Sequence, residues 1–279
     1  MYEAFYGLKE KPFSIQPDPD FLFMGKRHAL AYSMLQYGLE NRAGFTVICG
    51  EIGCGKTTLI RHLLNAMGTN LTVGLVSNTH RNIADLLGWI MLAFGQPYEA
   101  TSPVARYDAF QRFLIAEYAA GKRVVLIVDE AQNLSVGALE SLRMLSNINA
   151  DKDQLLQVIL VGQPQLQDVL KRPELQQFAQ RVAVDYFIPP LAEAEVGRYV
   201  THRLAVAGRT EPLFTPEALA LVAQATRGVP RRINTLCDMA LVYAFSAEAA
   251  VVDEALVREV LTDRQAYGVF GEAPPKGTD

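Results

Sequence analysis

The sequence is poor in the residues that build disulfide scaffolds and metal centres. Its 279 residues include three cysteines, four histidines and one tryptophan. Cys49, Cys54 and Cys237 lack the Cys-x-x-Cys spacing of zinc and redox motifs, and three cysteines cannot form a disulfide framework. The histidines are scattered without the spacing of metal ligands. These shortages exclude a disulfide-rich secreted domain and favour a reduced, cytoplasmic setting.

Long apolar runs and a strong charge of one sign are absent as well. No stretch reaches about 18 uncharged apolar residues, so we expect no transmembrane segment. The N-terminus lacks a basic stretch followed by an apolar run, so it does not resemble a signal peptide. The net charge of −4 provides no bulk attraction to nucleic acid. Half of the residues are hydrophobic and a fifth are charged, which is typical of a globular protein with a large core.

What the sequence does have is a phosphate-binding motif. The stretch GEIGCGKTT follows an apolar run and precedes a helical pattern, and its spacing is Gly-x-x-x-x-Gly-Lys-Thr. In such a loop, backbone N–H groups surround phosphate oxygens, and the following helix N-terminus adds partial positive charge. Lys56 would reach the β- and γ-phosphates of ATP, and the Thr57 hydroxyl would coordinate Mg²⁺. The other residues predicted to bind the nucleotide are Gly50, Glu51, Ile52, Gly53, Cys54, Gly55 and Thr58.

A pair of carboxylates follows the apolar run RVVLIV. Asp129 and Glu130 would lie at the carboxyl edge of a parallel sheet, where ligands bind in open α/β folds. Asp129 would hold Mg²⁺ through water, and Glu130 would orient or deprotonate the attacking water. A small-molecule kinase has no need of a water-activating glutamate, so this pair favours ATP hydrolysis.

The order of the elements predicts an N-terminal segment followed by two domains. Residues 1–25 are rich in proline and phenylalanine, and we expect an extended segment packed on the core. Five predicted strands alternate with helices over residues 26–189, which indicates a parallel five-stranded α/β sheet with helices on both faces. Residues 190–265 contain helical patterns only, and we expect a small helical lid domain. Residues 266–279 are expected to be disordered.

Over most of its length the chain resembles the AAA+ ATPases, a superfamily of P-loop NTPases. Within it, the chain is similar to the group around secretion-pathway component A (the ExeA/GspA type), which has relatives in polysaccharide-export and exosortase systems. The stretches that carry the resemblance include FYGLKEKPF, GFTVICGEIGCGKTT, VVLIVDEAQNL, ILVGQPQL, FAQRVAVDY and GVPRRINTL. The second and third correspond to the Walker A and Walker B motifs. Secretion-type members continue into a transmembrane helix and a peptidoglycan-binding domain, and these 279 residues contain neither.

The resemblance implies roles for three further residues. Gln163 ends the fourth predicted strand, where the family has a polar sensor of the γ-phosphate. Arg181 precedes the fifth predicted strand, where the family has its arginine finger. Arg231 matches the arginine of the lid that senses the nucleotide, with Arg232 as a near competitor. Together with Lys56 and Glu130, these residues form the predicted catalytic set.

The resemblance also implies self-association into a ring or an open spiral, with ATP at each subunit junction. Hydrolysis would drive the assembly or remodelling of a protein partner in a secretion, exopolysaccharide or other cell-envelope system. The protein would then reach the inner membrane only through that partner.

Two alternative interpretations of the sequence involve nucleic acid. The first is an ATP-dependent DNA-binding adaptor of the transposition-regulator type. It would need a basic stripe, whereas the sequence has only short basic pairs such as Lys26–Arg27 and Lys122–Arg123, so nucleic acid is not the favoured partner. The second is a helicase, because DEAQ resembles a helicase box. A helicase needs a second α/β motor domain, which residues 190–265 cannot supply.

Overall fold

The structure, a computed structural model, describes residues 1–68, 70–77, 85–99, 102–150 and 153–267. From residue 268 onward, the predicted disordered tail lies outside the described residues. The chain divides into two compact units. The α/β unit comprises Lys26–Ile52 and Lys56–Pro189, and the helical unit comprises Met1–Gly25, Gly53–Gly55 and the chain from Pro190.

The α/β unit is built on a parallel sheet. In chain order, the strands are β1 (Phe45–Gly50), β2 (Leu71–Val76), β3 (Arg123–Val128), β4 (Asn149–Ala150), β5 (Asp153–Gln154), β6 (Leu156–Gly162) and β7 (Val182–Ile188). Five of them form one sheet with the order β2-β3-β6-β1-β7, and all four pairings are parallel. The short strands β4 and β5 pair with each other in antiparallel fashion. The predicted fold class, a five-stranded parallel sheet followed by a helical region, is confirmed.

Burial of the strands follows their place in the sheet. Every residue of β1 and β6 is buried, as expected for central strands covered on both faces. The edge strands β2 and β7 are only partly buried, and their sequences include polar residues such as Thr72 and Asp185. The apolar runs in the sequence therefore identify the centre of the sheet correctly.

Seven helices belong to the α/β unit within the described residues. They are α1 (Lys26–Glu40), α2 (Lys56–Ala66), α3 (Leu86–Ala93), α4 (Pro103–Ala119), α5 (Val136–Leu145), α6 (Gln165–Leu170) and α7 (Gln176–Ala179). The helical pattern before β3 predicts a helix from Ile83, but residues 83 and 84 lie outside the described residues, and α3 begins after its N-cap, Asp85. The sequence pattern misses α6, α7 and the β4–β5 pair, because elements of two to six residues show too little periodicity.

The register of the sheet brings three strand ends to one edge. Cys49 pairs with Gly162, and Val128 pairs with Leu160, so β1, β3 and β6 end at nearly the same level. Because β6 lies between β3 and β1, the residue after β6 stands between the residues that follow the other two strands. This order decides which side chains meet at the carboxyl edge.

The helical unit contains α8 (Glu193–Val206), α9 (Pro216–Thr226), α10 (Pro230–Ser246) and α11 (Glu254–Tyr267). Its apolar core includes Val196, Leu236 and Val257, one from each of three helices. Thr215 caps α9 by accepting a hydrogen bond from the Ala218 N–H at 3.2 Å. Among the described residues, no helix combines the length and the apolarity that a bilayer crossing requires.

The structure corrects the expected place of residues 1–25. The sequence predicts that this segment packs on the nucleotide-binding core, whereas the structure includes it in the helical unit. Its buried side chains that enter the core of the helical unit are Tyr2, Tyr6, Leu8, Phe13 and Phe21. The buried Arg203 of α8 fixes the segment by donating to the carbonyls of Pro12 and Ser14 and by packing 4.7 Å over the Phe21 ring. Aromatic burial and this guanidinium together explain the difference.

Candidate functional site at the carboxyl edge of the sheet

The predicted phosphate loop connects β1 to α2. Gly50 must be glycine because a Cβ there would lie 2.7 Å from the Ile188 carbonyl oxygen. Gly53 and Gly55 have φ angles of +83° and +86°, a region that glycine adopts without strain. Between β1 and α2, Glu51 and Ile52 are exposed and Cys54 is buried. The loop therefore has the backbone shape that the motif predicts.

Lys56 begins α2 and is buried in spite of its charge. Its ammonium group donates to the carbonyl oxygens of Gly50 at 2.7 Å and Glu51 at 3.0 Å. The lysine thus lies against the loop, next to the N-terminus of α2, where partial positive charge accumulates. Thr58 follows in the same first turn and is half-buried.

The predicted magnesium ligands lie next to each other. The Thr57 hydroxyl donates to Asp129 Oδ2 at 3.0 Å, which joins the start of α2 to the residue after β3. Asp129 also accepts from the Glu130 N–H, at 2.9 Å through Oδ1. The structure therefore brings together a hydroxyl and a carboxylate that are 72 positions apart in the sequence.

Glu130 and Gln163 are also in direct contact. The Gln163 side-chain amide donates to Glu130 Oε2 at 2.9 Å. Glu130 has left-handed backbone angles, with φ 53° and ψ 37°, which are uncommon for a residue with a Cβ. Such backbone conformations occur at functional sites more often than elsewhere. The predicted sensor and the predicted water-activating carboxylate thus form one hydrogen-bonded pair.

Gln132 is a further member of the site that is not among the residues predicted from the sequence. Its side-chain amide donates to Glu130 Oε2, and its Oε1 accepts from the Gln163 N–H at 3.0 Å. The one feature of the sequence that could have indicated this role is an amide side chain two residues after Glu130, in the turn that follows a strand. That spacing alone does not reveal the contact with Gln163, 31 positions further on.

Arg181 does not contact the site residues at the carboxyl edge of the sheet in its own chain. It precedes β7, whose first residue Val182 pairs with Phe45 at the amino end of β1, whereas Gly50 ends β1. At about 3.3 Å per residue, Arg181 therefore lies roughly 15–20 Å along the strands from the phosphate loop. Its guanidinium group donates to the Ser146 hydroxyl at 3.2 Å.

Arg231 belongs to the helical unit, where it is exposed in the first turn of α10. Its backbone N–H donates to the carbonyl oxygen of Gly53 at 3.1 Å. Gly53–Gly55 are themselves part of the helical unit. A Cβ on Gly53 would lie 2.4 Å from the Arg231 Cβ, so only glycine fits beside this turn. Arg232 is exposed as well.

The thiols of Cys49 and Cys237 are inert. Cys49 lies in the buried strand β1, and burial raises the pKa of its thiol to about 11, although Lys56 opposes this shift. Burial likewise raises the pKa of the Cys237 thiol in α10. None of the three cysteines is in a disulfide bond. Both shifts keep the thiols neutral, and a neutral thiol is a poor nucleophile.

Comparison with known proteins identifies the domain. A family model described as an AAA domain matches residues 39–170. General secretion pathway protein A of Aeromonas hydrophila is 44% identical over 247 residues, which cover 88% of this chain and 45% of that relative. The chain thus spans less than half the length of this relative.

Solved structures share the fold at low sequence identity. The ORC2 protein of Aeropyrum pernix in its ADPNP–ADP complexes has a TM-score of 0.69 at 18% identity, over 89% of this chain and 72% of that chain. Cdc6p of Pyrobaculum aerophilum has a TM-score of 0.69 at 18% identity, over 92% of this chain and 72% of that chain. Drosophila ORC bound to DNA has a TM-score of 0.67 at 16% identity, over 95% of this chain and 66% of that chain. The chain therefore contains an AAA domain, and over 88% of its length it is similar to general secretion pathway protein A.

Proposed function

We propose that the protein binds ATP with Mg²⁺ and hydrolyses it to ADP and phosphate. The observation that carries this proposal is the presence of two hydrogen-bonded pairs, Thr57 with Asp129 and Glu130 with Gln163, at the carboxyl ends of three neighbouring strands. The first pair supplies oxygen ligands of the kind that Mg²⁺ prefers. The second supplies a carboxylate that can accept a proton from water.

The residues around the loop fit a magnesium nucleotide. Lys56 supplies a positive charge next to the N-terminus of α2 and lies against the loop carbonyl groups. Among the described residues, no group of three or more His, Cys, Asp or Glu side chains could hold a metal ion. Thr57 and Asp129 would therefore share the ion with phosphate oxygens and water, as is usual for Mg²⁺ in nucleotide sites. A bound Mg²⁺ would neutralise part of the phosphate charge.

The side chains have separate tasks in this proposal. Lys56 and the loop N–H groups hold the phosphates. Glu130 orients the attacking water and takes its proton, while the Gln163 amide keeps contact with the Glu130 carboxylate and senses the γ-phosphoryl group. Arg231 is proposed as the nucleotide-sensing arginine of the lid, on the strength of the family resemblance.

We further propose that ATP is hydrolysed at the junctions of a ring or spiral of subunits. Arg181 of a neighbouring subunit would act as the arginine finger, and its position at the amino edge of its own sheet supports a role outside its own loop. The energy would remodel a protein partner in a secretion or other cell-envelope system, as the relationship to general secretion pathway protein A suggests. A membrane role would be exerted through that partner.

Variants of Lys56 and Glu130 test the proposal. Lys56→Ala should abolish ATP binding in titration calorimetry, while Lys171→Ala, at an exposed lysine, should bind like the parent. Glu130→Gln should keep ATP affinity but release phosphate at least about 100-fold more slowly, the usual scale for a general base. Glu174→Gln is the matched control at an exposed glutamate. Parent-like phosphate release from Glu130→Gln would refute its proposed role.

The DNA-adaptor alternative has its own test. Binding to duplex DNA would be measured across a range of salt concentrations, with and without ATP. An ATP-dependent affinity that falls steeply with salt would favour the adaptor. Absence of such binding, together with ATP turnover, would leave the remodelling ATPase as the function.

A further inference from the structure

The turn after β3 directs two side chains toward each other. Glu130 adopts left-handed backbone angles, and a single 3₁₀ turn over Ala131–Asn133 follows it directly. The Asn133 N–H closes this turn by donating to the Glu130 carbonyl oxygen at 2.9 Å. The Gln132 side chain therefore returns to the Glu130 carboxylate, although the two residues are separated by one position.

Gln132 uses both ends of its side-chain amide. Its Nε2 donates to Glu130 Oε2, and its Oε1 accepts from the Gln163 N–H at 3.0 Å. The Gln163 side chain completes a closed network by donating to the same carboxylate oxygen at 2.9 Å. Space for the Gln132 amide depends on Gly162, because a Cβ there would lie 3.0 Å from Gln132 Oε1 and 2.8 Å from the Leu166 side chain.

We propose that Gln132 is a positioning residue that holds the Glu130 carboxylate in its water-activating orientation and couples it to the end of β6. This inference rests on the proposed role of Glu130. A glutamate side chain in water samples several rotamers, and two amide donors that converge on one oxygen restrict it. Only a side chain with a donor and an acceptor at this length can bind Glu130 and the Gln163 backbone together.

Two substitutions that keep the length of the Gln132 side chain distinguish its donor from its acceptor. Gln132→Met removes the donor and the acceptor without adding charge. Gln132→Glu keeps an acceptor for the Gln163 N–H but replaces the donor with a second negative charge beside Glu130. We expect kcat to fall roughly 10-fold for the methionine variant and roughly 100-fold for the glutamate variant, the range of a hydrogen bond to a charged group. ATP affinity measured by calorimetry should stay within about twofold, because the loss concerns orientation of the base.

A thermal-unfolding cycle tests the contact without nucleotide. Gln132→Glu should lower the melting temperature of the otherwise unchanged protein, because two carboxylates would then face each other. In the Glu130→Gln background, Gln132→Glu should lower the melting temperature only slightly, since an amide at position 130 can donate to a carboxylate at position 132. This exchanged pair should nevertheless remain without turnover, because the base is absent. An equal loss of melting temperature in both backgrounds would contradict the contact.

The outcomes distinguish this inference from the proposed function. If Glu130→Gln hydrolyses ATP like the parent, the role of Glu130 itself is wrong. If Glu130→Gln lacks turnover and Gln132→Met keeps the parent kcat, only the inference on Gln132 is overturned. Gln177→Met, at an exposed glutamine, is the matched control. Should Gln132→Met fail to fold, Gln132→Asn provides the same comparison, because its side chain is one methylene too short to reach both partners.

Discussion

At the scale of single residues, His202 shows how burial in the helical unit controls a charge. Its ring packs against Phe23 with 5.7 Å between centroids, and Nε2 is buried with no hydrogen-bond partner among the described residues. Burial lowers the pKa of His202, and Arg203 lowers it further, while a hydrogen bond with the Leu22 backbone opposes the shift. The folded protein therefore keeps this imidazole neutral at a pH where an unfolded chain would begin to protonate it.

This pKa direction predicts a pH-dependent stability. As the pH falls below about 6.5, the ordinary pKa of histidine, the unfolded chain takes up a proton that the folded state resists, so stability decreases. His202→Gln removes the titration but keeps a polar side chain. Melting temperatures at pH 8 and pH 5 should differ less for this variant than for the parent. His62→Gln is the control because it leaves His202 in place, and equal losses in the parent and His202→Gln would refute the burial argument.

At the scale of elements, the ends of the helices show which capping residues contribute to stability. Ser135 caps α5, and its side chain accepts a hydrogen bond from the Ala138 N–H at 3.1 Å. Ser102 stands at the equivalent position before α4 but makes no such side-chain bond. The same residue type at the same position therefore has a different physical role in two helices of the α/β unit.

The two serines form a matched pair for a stability measurement. Ser135→Ala should lower the free energy of unfolding by about 1 kcal/mol, because an N–H in the first turn of α5 loses its partner. Ser102→Ala should change it by less than about 0.5 kcal/mol, as is usual for an exposed position without such a contact. Urea-induced unfolding of both variants measures the difference. Similar values for the two would show that the cap of α5 contributes nothing specific.

At the scale of the whole molecule, the first 25 residues and the region after Pro190 form one core although the entire α/β unit separates them in sequence. Tyr2 donates to the Asp238 carboxylate, and Tyr6 donates to the Ala249 carbonyl oxygen at 3.0 Å. Asn234 donates to the Ser14 carbonyl oxygen at 3.1 Å. The helical unit therefore consists of two distant parts of the chain, and its folding requires the closure of a long loop.

The proposed ring or spiral assembly also belongs to the scale of the whole molecule, and it predicts an active site completed by a neighbouring subunit. Arg181→Ala should bind ATP normally and turn over slowly, since arginine fingers contribute roughly 10³–10⁵ in rate. The specific activity of the parent should rise with protein concentration. Mixing Arg181→Ala with Lys56→Ala should restore part of the activity, because some junctions then combine an intact loop with an intact arginine.

Two controls accompany this mixing experiment. Arg172→Ala, at an exposed arginine nearby, should behave like the parent. The melting temperature of Arg181→Ala shows whether loss of its hydrogen bond to Ser146 affects the fold. If mixed oligomers form but no activity returns, or if dilution leaves specific activity unchanged, Arg181 does not act across a junction.

Several features follow from the sequence alone because they depend on neighbours in the chain. The apolar runs identify β1, β3 and β6, since a strand buried on both faces requires apolar residues at successive positions. The glycine spacing predicts the loop between β1 and α2, because only glycine allows the close approach and positive φ found there. Ser135 precedes an amphipathic run, which is the usual position of a helix cap, and its side chain accepts a hydrogen bond from the Ala138 N–H.

Other features were decided only by the tertiary structure, because they join distant parts of the chain. The strand order places Gln163 between the ends of β3 and β1, and it thereby creates the contacts with Glu130 and Gln132. Residues 1–25 were expected on the α/β core, because their aromatic residues require burial but do not specify which unit buries them. The apolar surface of the helical unit and the buried Arg203 supply that place. Local patterns determine which residues are buried or turn the chain, and only long-range packing determines which of them meet.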